Sequence, residues 1–307
     1  MQRLFVTGGG GLVGRNLLAH PGMADWQVLA PARADLDLED AAALRGWLSR
    51  HRPDAVVHAA GLVGGIAANI AAPARYLAVN ARIGLNLIEA CRAADIKVLI
   101  NLSSSCVYPA ALGRDLREEQ ILTGALEPTN EGYALAKIMA MRLIEYALRE
   151  TPELGWRTLV PCNLYGPHDR FDPARAHLLP AIIHKLHRAR AESAASVEIW
   201  GDGTARREFM YAPDLADAIL RAVADPHALP PVMNIGIGQD HAINDYYRIA
   251  AEVIGWHGRF THDLSRPVGM AQKLLSVTRQ RDWGWAPATG LRDGIAATSA
   301  WYQRHHA

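Results

Sequence analysis

A run of four glycines wedged between a short apolar segment and an amphipathic one, close to Met1, restricts this chain more than any other feature. Leu4-Phe5-Val6 leads into Thr7-Gly8-Gly9-Gly10-Gly11-Leu12-Val13-Gly14-Arg15-Asn16-Leu17-Leu18, in which Gly8, Gly11 and Gly14 follow a Gly-x-x-Gly-x-x-Gly spacing. Between a strand and a helix, such glycines permit a tight turn and let a pyrophosphate approach the helix N-terminus. Gly8, Gly9, Gly10, Gly11, Leu12, Val13 and Gly14 are therefore candidate cofactor contacts, and the fold should be α/β: a Rossmann-type doubly wound parallel sheet.

The segments that follow alternate accordingly. A second strand, Trp26-Gln27-Val28-Leu29-Ala30, ends at Pro31-Ala32-Arg33-Ala34-Asp35-Leu36-Asp37, where an adenosine ribose would lie. The first charge there is Arg33, which suits a 2′-phosphate and favours NADP(H), although Asp35 or Asp37 could reach a 2′-hydroxyl. A helix at 41–51 precedes Asp54-Ala55-Val56-Val57-His58-Ala59-Ala60, apolar enough to be buried on both faces of a parallel sheet. A small-residue loop at 61–69, a helix at 73–94 and a strand at 97–102 then deliver Ser103-Ser104-Ser105-Cys106-Val107-Tyr108-Pro109. Downstream, Tyr133 and Lys137 stand four apart on one helix face. That spacing lets the ammonium lower the phenol's pKa so that it trades protons near neutrality, with the Ser104 hydroxyl as a second hydrogen-bond donor to a carbonyl.

Composition narrows the partners. The 307 residues (33.5 kDa) are 50% hydrophobic and 21% charged, with 32 basic and 31 acidic side chains giving a net charge of +1. Such a chain can bury a large core and lacks the basic runs of a nucleic-acid or membrane surface. No leader or bilayer-length apolar stretch is read, so the expected location is the cytoplasm. Three cysteines, Cys91, Cys106 and Cys162, give neither a disulfide framework nor a zinc spacing.

Longer signatures carry a resemblance. Val63-Gly64-Gly65-Ile66, Ser104-Ser105-Cys106-Val107-Tyr108-Pro109, Leu126-Glu127-Pro128-Thr129-Asn130-Glu131, Asn163-Leu164-Tyr165-Gly166-Pro167-His168-Asp169, His177 with Pro180, and Trp200-Gly201-Asp202-Gly203 running into Arg207-Glu208-Phe209 appear in order. With Tyr133 and Lys137, the chain resembles the extended short-chain dehydrogenase/reductases, and within them the GDP-L-fucose synthase family, which epimerises and reduces GDP-4-keto-6-deoxy-mannose.

The resemblance implies roles for particular residues. Cys106 and His177 would move the C3 and C5 protons. Ser104 and Tyr133 would stabilise the C4 oxygen, and Lys137 would hold the nicotinamide ribose. Arg33, Asp37, Leu38, Ala59, Ala60, Leu62, Leu102, Ser103, Pro161, Asn163, Leu164 and His177 would line the cofactor. Ser104, Cys106, Tyr133, Asn163, Leu178, Lys185, Trp200, Arg207 and Lys273 would contact a GDP-4-keto-deoxy sugar, with Lys273 on a phosphate. The chain departs from the family pattern at Leu62 (usually Lys), Lys185 (usually Arg) and Val268 (usually Asp). These departures keep enzymes of colitose synthesis and of GDP-keto-deoxy-heptoses as alternatives, beside a non-catalytic nucleotide-binding regulator or scaffold. Two parts are expected: residues 1–160 for NADP and mainly 161–307 for the sugar nucleotide, the chain crossing between them more than once. Leu77, Leu85, Ile88, Met139, Leu143 and Ile144 suggest a surplus apolar face, and the family's four-helix-bundle homodimer is expected to use it. The Ala/Arg-rich stretch at 188–196 reads as a mobile surface turn.

Overall fold

In the computed structural model, residues 1–172, 176–265 and 270–306 are described; Val268 lies outside them. The elements run β1 (Gln2–Thr7), α1 (Leu12–Leu18), β2 (Trp26–Leu29), α2 (Ala41–His51), β3 (Ala55–His58), α3 (Ile66–Ala71), α4 (Pro73–Ala93), β4 (Val98–Leu102), α5 (Glu131–Glu150), β5 (Gly155–Pro161), β6 (Asn163–Tyr165), α6 (Leu178–Ala191) and β7 (Ser196–Trp200). They continue with β8 (Arg206–Arg207), β9 (Phe209–Tyr211), α7 (Ala212–Ala224), β10 (Val232–Ile235), β11 (His241–Ala242), α8 (Ile243–Ile254), β12 (Arg259–Asp263), β13 (Gln272–Lys273), α9 (Thr278–Asp282) and α10 (Leu291–His306).

Six strands form an all-parallel sheet in the order β10-β5-β4-β3-β1-β2. Every residue of β3 and of β5 is buried, as a strand covered by helices on both faces requires. Alternate side chains go to opposite faces: Leu4, Val6, Ala55, Val57, Ile100 and Leu102 pack into one cluster with Leu215 and Ile219 of α7. Phe5, Val56 and Leu99 pack into another with Leu44 and Leu48 of α2, Leu87 of α4 and Ile144 of α5. The order reverses at β1, which has β2 on one side and β3 on the other, and such a switch point opens a crevice beyond the strands' carboxyl ends.

A separate core joins Leu179, Ile182, Ile183 and Leu186 of α6 to Tyr246, Ala250 and Ile254 of α8 and Ile295 and Tyr302 of α10. Three small sheets, β11-β8-β13, β12-β7 and β6-β9, lie within this later sequence. Residues 212–235, however, return to the large sheet as α7 and β10.

Local differences from the sequence expectations have clear causes. The loop read at 61–69 becomes helical from Ile66, where Asn69 Nδ2 donates to the Gly64 and Gly65 carbonyls (2.8 and 3.1 Å). Of the surface turn read at 188–196, residues through Ala191 are the last turn of α6, because Ala and Arg are good helix formers and Arg188 pairs with Glu192 at 2.7 Å, while 192–195 form the turn before β7. Ile88 and Ile144, read as part of a surplus face, are 2% and 0% exposed and belong to the core. Among the described residues no helix is long and apolar enough to cross a membrane.

The turn beneath the crevice has no room for a side chain. A Cβ at Gly14 would sit 2.2 Å from the Gly8 carbonyl oxygen and 2.6 Å from Gly9 Cα, both backbone atoms. Gly14→Ala should therefore lower stability on the order of 3 kcal/mol, read as a fall in the urea midpoint. An unchanged midpoint would contradict this packing.

Candidate active site

The glycine turn meets β3 across the switch point. Gly8 adopts φ +73°, the left-handed region, and Gly11 N donates to its carbonyl at 3.0 Å. A Cβ at Gly8 would lie 2.7 Å from Ala60 N, so the two chains touch through bare backbone. Thr7 Oγ1 accepts from Ala60 N (3.2 Å) and hydrogen-bonds His58 Nδ1 (2.9 Å). Burial and the Lys137 charge push His58 down to about 3, so its imidazole is neutral. A Cβ at Gly10, by contrast, would meet nothing within 4 Å, and the first turn of α1 carries no acidic side chain. Open backbone at the positive end of a helix fits a dinucleotide's phosphates.

Beside this turn, Arg33 lies beyond β2 with its side chain 73% exposed and paired to Glu39 at 2.9 Å. Asp37 is nearby, 3.7 Å from Arg33, and Leu38 packs beneath. Leu62 N donates to Asn80 Oδ1 at 2.8 Å, while Asn80 Nδ2 donates back to the Leu62 and Tyr76 carbonyls. Asn80 thus anchors the segment after Ala59 and Ala60.

The end of β4 and the start of α5 assemble the reactive groups. Ser103 N donates to the Leu159 carbonyl at 2.8 Å, which fixes the chain after Leu102. Ser104 caps the following turn, accepting from Cys106 N at 3.3 Å. Tyr133 stands beside Ser104, and Lys137 Nζ donates to the Leu102 carbonyl at 2.8 Å while standing 5.8 Å from the Tyr133 ring centroid. Burial pulls Lys137 down to about 8.

The spacing argument expected a phenol lowered towards neutrality. Burial, seconded by Cys106, instead raises Tyr133 well above its ordinary value, against the opposing influence of Ser104. The Lys137 ammonium is spent on the Leu102 carbonyl, and desolvation outweighs what remains. Tyr133 is consequently a protonated donor at neutral pH.

Cys106 Sγ accepts from Asn130 Nδ2 at 3.3 Å and from Lys273 Nζ at 3.7 Å. Ser103 Oγ and Asn130 Oδ1, on either side of this cluster in sequence, are buried without a hydrogen-bond partner among the described residues. Cys91 and Cys162 are buried elsewhere in the cores.

The later sequence carries the remaining candidates, of which Lys273 reaches the thiol. His177 occupies the N-cap position of α6 without a side-chain capping bond; it keeps an exposed face, while its packed side and Arg170 lower its pKa, so it is neutral. No hydrogen bond among the described residues joins it to Cys106. Leu178 begins α6, and Asn163, two residues after Pro161, donates from Nδ2 to the Glu208 carbonyl at 2.8 Å, with Leu164 packed into the main core. Arg207 on β8 and Lys273 on β13 are partners in register. Lys185 Nζ donates to the Glu198 carbonyl (3.1 Å) and stands 5.3 Å over the half-exposed Trp200 ring.

Sequence reasoning missed His58, Asn80 and Glu208 and gave Asn130 no role. Asn130 had a signal, three residues ahead of Tyr133 within a quoted motif. Glu208 likewise stood within the quoted Arg207-Glu208-Phe209, while His58 and Asn80 show their meaning only in long-range contacts.

Residues 4–236 match the NAD dependent epimerase/dehydratase family. The GDP-L-fucose synthase of Azorhizobium caulinodans is 49% identical over 98% of this chain and 96% of that protein. The GDP-L-colitose synthase of Yersinia pseudotuberculosis is 44% identical over 98% of each. Among solved structures, a GDP-mannoheptose C4 reductase from Campylobacter jejuni with NADP bound superposes with a TM-score of 0.90 at 26% identity over 98% of each chain. The chain thus belongs to the NAD dependent epimerase/dehydratase family, among relatives that include the GDP-L-fucose and GDP-L-colitose synthases.

Proposed function

We propose that this protein is an NADPH-dependent epimerase/reductase that converts a GDP-4-keto-6-deoxy-hexose to its 3,5-epimerised, 4-reduced product. The observation that carries the reading is the single cluster of Ser104, Tyr133, Lys137 and Cys106 beside the dinucleotide turn, with Lys273 at 3.7 Å from the thiol. A non-catalytic binding module has no use for such a proton relay. The sheet with its returning residues 212–235 would hold the cofactor, and the remainder of the later sequence the sugar nucleotide.

The chemistry follows from what each residue can do. A C4 ketone makes the protons on C3 and C5 weakly acidic, so a base on one face and an acid on the other can invert each centre. Cys106 and neutral His177 fill these positions, one removing a proton from carbon and the other returning one. Ser104 and Tyr133 donate hydrogen bonds to the C4 oxygen while it carries negative charge, a stabilisation of about 3 kcal/mol per donor. NADPH, when bound, supplies hydride to C4. Tyr133, kept protonated by its burial, then gives its proton to the C4 oxygen, and Lys137 holds the nicotinamide ribose and offsets the phenolate charge. Arg207, Lys273, Lys185 and Trp200 face the nucleotide diphosphate and sugar, two cations in register being suited to a polyanion.

Separating the two chemical steps tests these roles. Tyr133→Phe should abolish NADPH oxidation while keeping most deuterium exchange at C3 and C5 in heavy water. Cys106→Ser and His177→Gln should lose exchange by about two to four orders of magnitude while still binding cofactor. Wild-type exchange in Cys106→Ser, followed by NMR, would return the thiol to a packing role.

Arg33 decides the cofactor in this reading, since its guanidinium is exposed and held at the β2 end by Glu39. Arg33→Ala should weaken NADPH binding by about tenfold and leave NADH binding unchanged, as expected for one charge-assisted phosphate contact. Equal losses for both cofactors in fluorescence titrations would remove Arg33 from the 2′-phosphate.

The protein is also proposed to be a homodimer through α4 and α5. Leu77, Leu85, Leu135 and Tyr146 on these helices are 38%, 43%, 39% and 51% exposed, an apolar patch suited to a partner copy. Light scattering at micromolar concentration should give twice the chain mass, and Leu85→Glu should give the monomer mass. A monomeric wild type would refute the pairing.

A further inference from the structure

Glu208 is an acidic side chain with no role in the chemistry above, yet it is only 1% exposed. Its Oε1 accepts from Ile237 N at 2.7 Å and Gly238 N at 2.8 Å, and its Oε2 from Leu275 N at 3.0 Å. Its own carbonyl accepts from Asn163 Nδ2. One residue therefore ties together the segment after β10, the segment between β13 and α9, and the start of β6. It is adjacent to Arg207, and Leu275 is two residues from Lys273, so the carboxylate ties the backbone just after β8 to the backbone just after β13, the two strands that set Arg207 and Lys273 side by side.

Those two cations repel when placed in register, and the Arg207 charge is further penalised by burial. Backbone pairing between β8 and β13 spans only two residues each and offers little to oppose that repulsion. Glu127 offsets part of the Arg207 charge, and the charge-assisted bond from Leu275 N to Glu208 pins the backbone two residues beyond Lys273.

We propose that Glu208 is a positioning residue for substrate: its carboxylate holds Arg207 and Lys273 together as a preformed cation pair for the nucleoside diphosphate. The inference rests on the reading of the protein as a GDP-sugar enzyme and assigns Glu208 no part in hydride or proton transfer.

The brace is also sensitive to pH. Burial pushes the Glu208 carboxyl up to about 7 against its three amide donors, with the Asp240 charge adding a further rise. The groups facing it are Asp240, itself paired to Arg206 at 2.7 Å, and Cys162 and Tyr246, both raised by burial and so neutral. Above pH 7 the carboxylate accepts all three amides. As pH falls through 7 one oxygen becomes a hydroxyl, a poorer acceptor, and the grip on Ile237 and Gly238 or on Leu275 weakens. Diphosphate affinity should thus be lost on acidification.

GDP binding by calorimetry between pH 6 and 8, with steady-state kinetics on GDP-4-keto-6-deoxy-mannose, tests this. Glu208→Gln puts an amide donor against one of the backbone N–H groups. It should raise the Kd for GDP and the KM for the sugar nucleotide by about tenfold, keeping kcat within about threefold and NADPH affinity unchanged. Wild-type Kd should worsen towards pH 6 with a midpoint near 7, whereas the variant, in which nothing titrates at this position, should show only the diphosphate's own titration. The variant's NADPH binding reports that it is folded, and the wild-type pH profile needs no variant at all. Lys273→Met should weaken GDP binding less in the Glu208→Gln background than in the wild type, because the two act on one contact. Unchanged GDP affinity in Glu208→Gln, or identical pH profiles for the two proteins, would overturn the brace. Wild type that binds GDP without turning over any GDP-keto sugar would defeat the proposed reaction and leave the brace to be judged by Kd alone. Failure of wild type to bind GDP would defeat both.

Discussion

Contact between two stretches of bare backbone, Gly8 against Ala59 and Ala60, is what the rest of the site depends on. A side chain at Gly8 would come within 2.8 Å of that backbone, and one at Gly14 would strike the turn itself. Because both are absent, α1 starts directly at the switch point, its first amides open to an anion. Thr7 and His58 close the junction from beneath with buried hydrogen bonds, and neutral His58 adds no charge to the site. A dinucleotide laid on this turn would point its reactive end towards the end of β4, where Ser104 and the α5 residues wait.

Burial at that end sets the protonation states. Lys137 is drawn down to about 8 and donates to a strand-end carbonyl, which orients it without using a carboxylate partner. Tyr133 is held up and therefore carries a proton to donate. At the start of α6, partial packing and the Arg170 charge lower the His177 pKa, so it too is neutral. Low polarity around the β4 end thus keeps Tyr133 a donor, and a neutral His177 at the start of α6 is an acceptor, a division suited to a site that both moves protons on carbon and protonates an oxygen.

Among the groups of the later sequence, charge rather than burial organises the geometry. Arg207 beside Lys273, and Lys185 over Trp200, form cationic and aromatic surfaces of the kind that recognise a nucleoside diphosphate. Two-residue strands hold Arg207 and Lys273, so their order relies on buried polar braces such as Glu208 and Asn163 rather than on an extended ladder.

Much of this was legible in the sequence because it is encoded locally. The glycine spacing, the alternation of apolar strands with amphipathic helices, and Tyr133 four residues before Lys137 are short-range patterns whose periods translate directly into elements and faces. The Cys106 and His177 assignments were accessible only through longer signatures, since neither residue has a local pattern. Tertiary structure alone decided the rest. It returned residues 212–235 to the large sheet, removed Ile88 and Ile144 from the expected surface, and turned the phenol's expected acidification into the reverse. It also brought Lys273 to a thiol 167 residues away and made a buried brace of Glu208. The physical reason is common to all of these: register between distant strands and the polarity around a side chain are sums over the whole packed chain, and no window of neighbouring residues contains them.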